Sequence, residues 1–193
     1  MKLYYSPGAC SLASHIALVE RGSDFEAVKV DLKSHTTENG DDFYAINPRG
    51  YVPAIDTDDV GLLTENPAVL TYIANATTKL SDEADHYKRL EWIGFIGTEI
   101  HGAFGPLFGG AEGDAKAKAK QKVADKFELA ETLRDGREWL VGDGPTVADN
   151  YLFVTLLWAR KMEVDLPQGL IEYRDRNMAR AAVKQAMENE GLA

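Results

Sequence analysis

A chain of 193 residues that is 45% hydrophobic has enough apolar mass for one large domain or two small ones, and no segment is biased enough to stay disordered. Its net charge of −10 and pI near 4.9 argue against nucleic acid and against a membrane surface as partners, because phosphate backbones and anionic lipids repel an acidic chain. The opening Met1-Lys2-Leu3-Tyr4-Tyr5-Ser6-Pro7-Gly8 has no apolar signal core, and no apolar run approaches bilayer-spanning length, so neither secretion nor membrane insertion is expected.

The first part of the chain alternates short strands with helices. Lys2–Tyr5 is β-prone, and Ser6-Pro7-Gly8-Ala9 is a turn. Leu12, Ala13, Ile16, Ala17 and Val19 mark one face of a helix that Gly22 ends. Phe25–Val30 reads as a second strand. Glu38–Ile46 reads as a weak helix stopped by Asn47-Pro48-Arg49-Gly50. Val52–Ile55 and Gly61–Leu63 are the third and fourth strands around a turn at Asp58-Asp59, and Glu65–Ala76 is a helix. The order β-α-β-α-β-β-α predicts an α/β layer of about 75–80 residues.

Beyond Thr77-Thr78-Lys79 the pattern changes, with Lys79–Asp85 a polar linker and only helices after it. Tyr87, Leu90, Ile93, Ile96, Ile100, Ala103 and Leu107 recur at helical spacing until Gly105-Pro106 bends or ends the run. Ala115–Leu140 is a second long helix whose lysines at 116, 118, 120 and 122 fall all around it, as on a solvated surface. Thr146 caps a third helix, with Asp149 reaching back. The run Tyr151–Trp158 is apolar on every side and predicts the buried centre of a second, all-helical domain. Gln168–Arg174 and Arg176–Glu190 supply the last helices. The domains expected are residues 1–78 and 84–193.

Cys10 is the only cysteine, which excludes an internal disulfide and a dithiol redox motif and suits a reducing cytoplasm. It stands at the start of a predicted helix, where free amides and the helix dipole favour a thiolate; an inert core thiol is the alternative. Val52-Pro53 enters a strand. A cis bond there would turn the Val52 backbone outward to pair with an extended peptide, although an ordinary trans turn is the commoner case. Glu65-Asn66-Pro67 opens a helix whose free N–H groups suit a carboxylate, with Glu65 an acceptor for an ammonium, although plain capping is the commoner case for such a pair read alone. His101 lies beside an apolar stripe and is either structural or turned to a cleft between the domains. His15, His35, His86 and His101 are scattered, and no Cys/His cluster has metal-ligand spacing.

Taken together, these features resemble the beta-class glutathione S-transferases of bacteria over essentially the whole chain. The matching segments are Met1-Lys2-Leu3, Pro7-Gly8-Ala9-Cys10-Ser11-Leu12-Ala13-Ser14-His15-Ile16, Val30-Asp31-Leu32, Glu38-Asn39-Gly40-Asp41-Asp42, Asn47-Pro48, Val52-Pro53-Ala54, Leu62-Leu63-Thr64-Glu65, Thr98-Glu99 with His101, and Ala148-Asp149 with Tyr151-Leu152-Phe153. The resemblance implies a thioredoxin-like N-terminal domain, an all-α C-terminal domain and a cytoplasmic homodimer. It implies detoxifying conjugation of glutathione to small hydrophobic electrophiles, with glutathione as co-substrate and no cofactor or metal. Cys10 would lie next to the glutathione sulfur, with Tyr5 and Ser11 near the thiol. Val52 would pair with the cysteinyl backbone, and Pro53 would hold the cis bond. Glu65 and Asn66 would hold the γ-glutamyl end. His101 would stand close to the active site, and Trp158 would border the second-substrate pocket.

The sequence departs from the family in several places. His35 replaces a lysine that reaches the glycyl end, Asn66 occupies a position that is usually small, and Gly94 and Gly102 replace an asparagine and a lysine. A less cationic glutathione site follows. Two other activities fit the same scaffold: a glutathione-dependent thiol oxidoreductase or peroxidase working through a Cys10 mixed disulfide, and a non-catalytic binding module, against which the retained Cys10, Val52-Pro53 and Glu65 argue.

Overall fold

The computed structural model describes residues 1–75 and 83–192. They fall into two compact units, one formed by the chain up to Asn75 together with the segment from Arg180 onward, the other running from Glu83 to Ala179.

The first unit contains β1 (Lys2–Tyr5), α1 (Ser11–Glu20), β2 (Glu26–Asp31), β3 (Thr36–Thr37), α2 (Phe43–Ile46), β4 (Ala54–Thr57), β5 (Gly61–Thr64) and α3 (Asn66–Asn75). The sheet order is β3-β2-β1-β4-β5; β1 and β2 run parallel, and the other neighbours are antiparallel. Alternation along β1 sends Tyr4 to one face, where it meets Phe43, Val28, Val30, Val52 and Ala54, and Tyr5 to the other, against His15 of α1. The strand β3 was not expected, and α2 is shorter than the predicted 38–46. Thr37 pairs its backbone with Asp41 and Gly40 in a tight turn, so the helix cannot begin before Asp42, which caps it by accepting from the Tyr44 N–H at 3.0 Å.

The second unit is helical. It contains α4 (Glu83–Phe95), a π-helical segment Ile96–His101, α5 (Gly105–Phe108), α6 (Gly113–Arg134), α7 (Val147–Lys161) and α8 (Gln168–Met178). The boundary drawn at residue 78 and most of the expected linker lie outside the described residues. The end of that linker, Glu83 to Asp85, is already the first turn of α4, where its two carboxylates suit the positive end of the helix dipole. α6 stops well short of the predicted Leu140, because Asp135 and Gly136 both take left-handed backbone and terminate it. Lys116, Lys118 and Lys122 are exposed, and Lys120 is partly so.

α9 (Ala181–Asn189) corrects the second domain boundary. It was assigned to the helical domain, but it packs on α1 in the first unit. A buried polar contact accounts for this. His15 and Glu190 are both almost fully enclosed, and their Nδ1–Oε1 distance is 2.9 Å, while the other Glu190 oxygen accepts from the Gly8 N–H at 2.9 Å. Neither group could be buried without the other. The break between the last two helices also falls later than predicted, after Met178 rather than at Asp175.

α7 is buried along nearly its whole length, and its start is fixed by the predicted capping box. Asp149 goes further than a cap. Its Oδ1 accepts from the Leu140 N–H at 2.9 Å and from the Tyr173 hydroxyl at 2.6 Å, and its Oδ2 accepts from the Thr146 N–H and hydroxyl, each at 2.7 Å. Burial pushes this carboxyl above the usual range, and the hydrogen bonds oppose that shift. Asp149→Ala would strand all of these donors, an expected loss of about 3–5 kcal/mol. Urea unfolding should show a much lower midpoint with an unchanged slope.

Candidate functional site

Three turns meet at one end of the strands β1, β4 and β5. The antiparallel register Tyr4↔Ala54 places the loop after β1 beside the residues entering β4, and Ala54↔Thr64 brings the end of β5 alongside. Cys10, Val52-Pro53 and Glu65, far apart in sequence, therefore lie at the same end of the sheet.

The first turn is braced locally. Ser11, fully buried, donates its hydroxyl to the Ser6 carbonyl at 3.3 Å and accepts from the Ser6 N–H at 3.2 Å, so it shapes the loop rather than facing the thiol. Tyr5 is likewise turned inward; its ring lies 5.4 Å from His15, and burial, with the Glu190 charge behind it, raises its hydroxyl pKa. No hydrogen bond joins Tyr5 to Cys10 among the described residues. Cys10 immediately precedes α1, and its thiol donates to the Val52 carbonyl at 3.2 Å.

Of the two readings of Cys10, a thiolate and a neutral thiol, burial favours the neutral thiol. Amides at Cys10 and Ser11 pull its pKa down, as a helix start should, but desolvation of the sulfur outweighs them and pushes the thiol up to about 12. A neutral S–H is also what the bond to Val52 requires, since a carbonyl can only accept.

The Val52–Pro53 bond is cis, as the resemblance implies. The Val52 N–H has no partner among the described residues. Asn47 shapes the approach to it. Almost fully buried, Asn47 accepts from the Arg49 N–H at 3.1 Å, donates to the Tyr51 carbonyl at 2.8 Å and closes a backbone turn with Gly50 at 2.8 Å. Only glycine fits at position 50, where φ is +67° and an added Cβ would sit 2.6 Å from the Tyr44 ring. Sequence reasoning took Asn47 through Gly50 merely as a helix stop; the available signal was an Asx-turn residue just ahead of Val-Pro.

Glu65 precedes α3 with a left-handed backbone, φ +70°, uncommon for a side chain of its size. Its carboxylate pairs with the Arg49 guanidinium, a partner the sequence did not suggest. Asn66 is the first residue of α3 and points inward, accepting from the Ser14 hydroxyl at 3.2 Å and leaving its Nδ2 buried without a partner. The helix-capping role expected of Asn66 falls instead to Glu65, whose carbonyl accepts from the Val69 N–H. His35, also left-handed, lies against the Tyr44 ring with centroids 4.3 Å apart.

In the second unit, His101 ends the π-helical segment. Its Nδ1 is 2.8 Å from the Tyr151 hydroxyl, and its ring centroid is 4.7 Å from that of Trp158. Trp158 also packs on Phe104 and Phe108, at 5.5 and 5.2 Å. Burial lowers the His101 pKa below the ordinary histidine value. An added Cβ at Gly94 would meet open space. No metal-holding group of three or more carboxylate, cysteine or histidine side chains occurs among the described residues, and no helix among them is long and apolar enough to cross a membrane.

Residues 1–75 match the family model of the glutathione S-transferase N-terminal domain, and residues 95–180 match that of the C-terminal domain. The chain belongs to the glutathione S-transferase family. It is 40% identical to the glutathione S-transferase GstA of Escherichia coli O157:H7, with all of both chains covered. It superimposes on a sphingomonad glutathione S-transferase complexed with glutathione at a TM-score of 0.93 and 44% identity, again with complete coverage of both. A bacterial beta-class glutathione S-transferase from Sphingomonas chungbukensis gives a TM-score of 0.89 at 41% identity, likewise with full coverage. The first unit of this glutathione S-transferase is thus the thioredoxin-like part of the fold, and the second is its helical part.

The neutral thiol has a direct test. Below its pKa the thiolate fraction of Cys10 grows about tenfold per pH unit, so alkylation by iodoacetamide should still be accelerating at about pH 10. A plateau near the ordinary thiol value, about 8.5, would contradict the burial argument.

Proposed function

We propose that the protein conjugates the thiol of glutathione to small hydrophobic electrophiles, as a cytoplasmic detoxification enzyme that works as a homodimer. The observation that carries this reading is the backbone at Val52, whose N–H has no partner among the described residues. A free N–H and a carbonyl with a spare lone pair, next to a cis proline, match the two main-chain groups of the cysteinyl residue of an extended peptide. Glutathione would add its cysteinyl backbone there. Its γ-glutamyl end would lie at Glu65 and the start of α3, where Asn66 keeps an amide nitrogen unpaired, and its glycyl end near His35.

Conjugation is favoured over thiol exchange by the state of Cys10. A thiol pushed up to about 12 is almost wholly protonated at neutral pH and attacks disulfides slowly. In this reading Cys10 lines the site as a hydrogen-bonded neutral group, Ser11 and Tyr5 support the loop that carries it, and the attacking sulfur is that of glutathione. Trp158 and its aromatic neighbours supply an apolar surface for the second substrate, and His101 supplies a polar group within it.

Incubation with glutathione and chlorodinitrobenzene should release the thioether. Glu65→Gln should raise KM for glutathione about tenfold with kcat little changed, since it removes binding common to ground and transition states. Cys10→Ala should still conjugate. Efficient disulfide reduction without thioether formation would instead favour the oxidoreductase reading. Sedimentation at micromolar concentration should return twice the mass of the chain.

A further inference from the structure

The ion pair between Arg49 and Glu65 is anchored at both backbones and open at its tips. Arg49 projects from the turn that Asn47 braces, where the Asn47 Oδ1 accepts from the Arg49 N–H at 3.1 Å and the Asn47 carbonyl accepts from the Gly50 N–H at 2.8 Å. Glu65 projects from the residue before α3, held by its left-handed φ of +70° and by the bond from the Val69 N–H to its carbonyl at 3.0 Å. The side chains themselves are exposed, 57% for Arg49 and 61% for Glu65, so the pair adds little to stability and opens at little cost. A single hydrogen bond joins them, from Nη1 to Oε1. Nε and Nη2 of Arg49 and Oε2 of Glu65 have no partner among the described residues.

These spare groups form a matched set. A guanidinium presents its N–H groups in a planar fork that fits a carboxylate, and a free carboxylate oxygen accepts from an ammonium. An α-amino acid head group carries one carboxylate and one ammonium on a single carbon. Entering between Arg49 and Glu65, such a head group meets a cation and an anion side by side. A head group with one charge satisfies only half of the pair.

We propose that Arg49 is a specificity-determining residue, which takes the α-carboxylate of the γ-glutamyl head group while Glu65 takes its ammonium, so that the site selects thiol peptides with a free α-amino acid end. This rests on the reading of the site as one for glutathione. Binding opens the bond from Nη1 to Oε1 and replaces one ion pair with two, and no proton or covalent bond changes hands. The amides at the start of α3 and the Arg49 guanidinium then share the ligand carboxylate. If Arg49 instead only occupied Glu65 until the ligand displaced it, removing Arg49 would tighten binding.

Calorimetry with S-methylglutathione, which has no thiol to react, separates these cases. Arg49→Gln changes an exposed side chain and should weaken binding about fivefold, the scale of an exposed charge-assisted contact. Arg49→Lys keeps the charge without the fork and should lose less. Two S-methylated peptides locate the contact. Glutaryl-cysteinylglycine keeps the carboxylate and lacks the ammonium, whereas γ-aminobutanoyl-cysteinylglycine keeps the ammonium and lacks the carboxylate. Arg49→Gln should bind the first about fivefold less tightly than the wild type does, and the second equally well. Unchanged or tighter binding of S-methylglutathione by Arg49→Gln would overturn the proposal. So would an equal loss with both truncated peptides, because Arg49 would then act through Glu65 or the turn and not on the ligand. A wild type that binds no S-methylglutathione sinks the glutathione reading, and the Arg49 assignment with it; tight wild-type binding that Arg49→Gln leaves untouched rejects the Arg49 assignment alone.

Discussion

The register of β4 between β1 and β5 is the constraint on which the candidate site depends. Because β4 runs antiparallel to both neighbours, its start lies beside the ends of the other two strands. One end of the sheet therefore collects the turn before α1, the Val52-Pro53 entry and the turn before α3. The contacts that join different turns, Cys10 with Val52 and Arg49 with Glu65, span 42 and 16 residues, and none of the three turns would form a site without the strands that align them. A one-residue slip of β4 would also move its buried Ala54 and Ile55 to the wrong faces, so the hydrophobic core protects the register the site requires.

At that end of the sheet, electrostatics distribute the chemistry. The start of α1 offers amides to the Cys10 sulfur, yet removal from water dominates and the protein thiol stays protonated. The charged elements lie farther out, where Arg49 and Glu65 pair at an exposed position that leaves both groups within reach of solvent. This separation suits a protein that handles another molecule's thiol. Its own sulfur is partly buried and hydrogen-bonded, while charge that could recognise a zwitterionic head group remains accessible.

In the helical unit a single element serves both stability and the candidate chemistry. α7 begins with Asp149, which ties its first turn to Leu140 and to Tyr173 of α8, and continues with Tyr151 and Trp158, which hold His101. The rotation of α7 about its axis is thus set by the same buried carboxylate that caps it. The π-helical segment supplies the complementary adjustment, since a wider turn at Ile96–His101 delivers the histidine to that face.

Much of this was legible in the chain. Periodicity located β1, α1, β4, β5 and the buried α7, and Thr146 with Asp149 announced the capping box, because these signals are local: a strand alternates, a helix repeats, and a cap lies within four residues of its partner. The order of Cys10, Val52-Pro53 and Glu65 pointed to the family before any contact was known. Other features depended on distant atoms. β3 is two residues long and exists only because β2 offers it an edge. The membership of α9 was decided by the meeting of His15 and Glu190, 175 residues apart. The protonation of Cys10 depends on distant atoms for the same reason: the helix start that favours a thiolate is a local feature, whereas the desolvation that raises the thiol pKa comes from the folded unit. Sequence by itself determined which elements form and which residues could do chemistry; tertiary structure decided which of them meet and in what charge state, because burial and long-range pairing belong to the folded chain and not to any stretch of it.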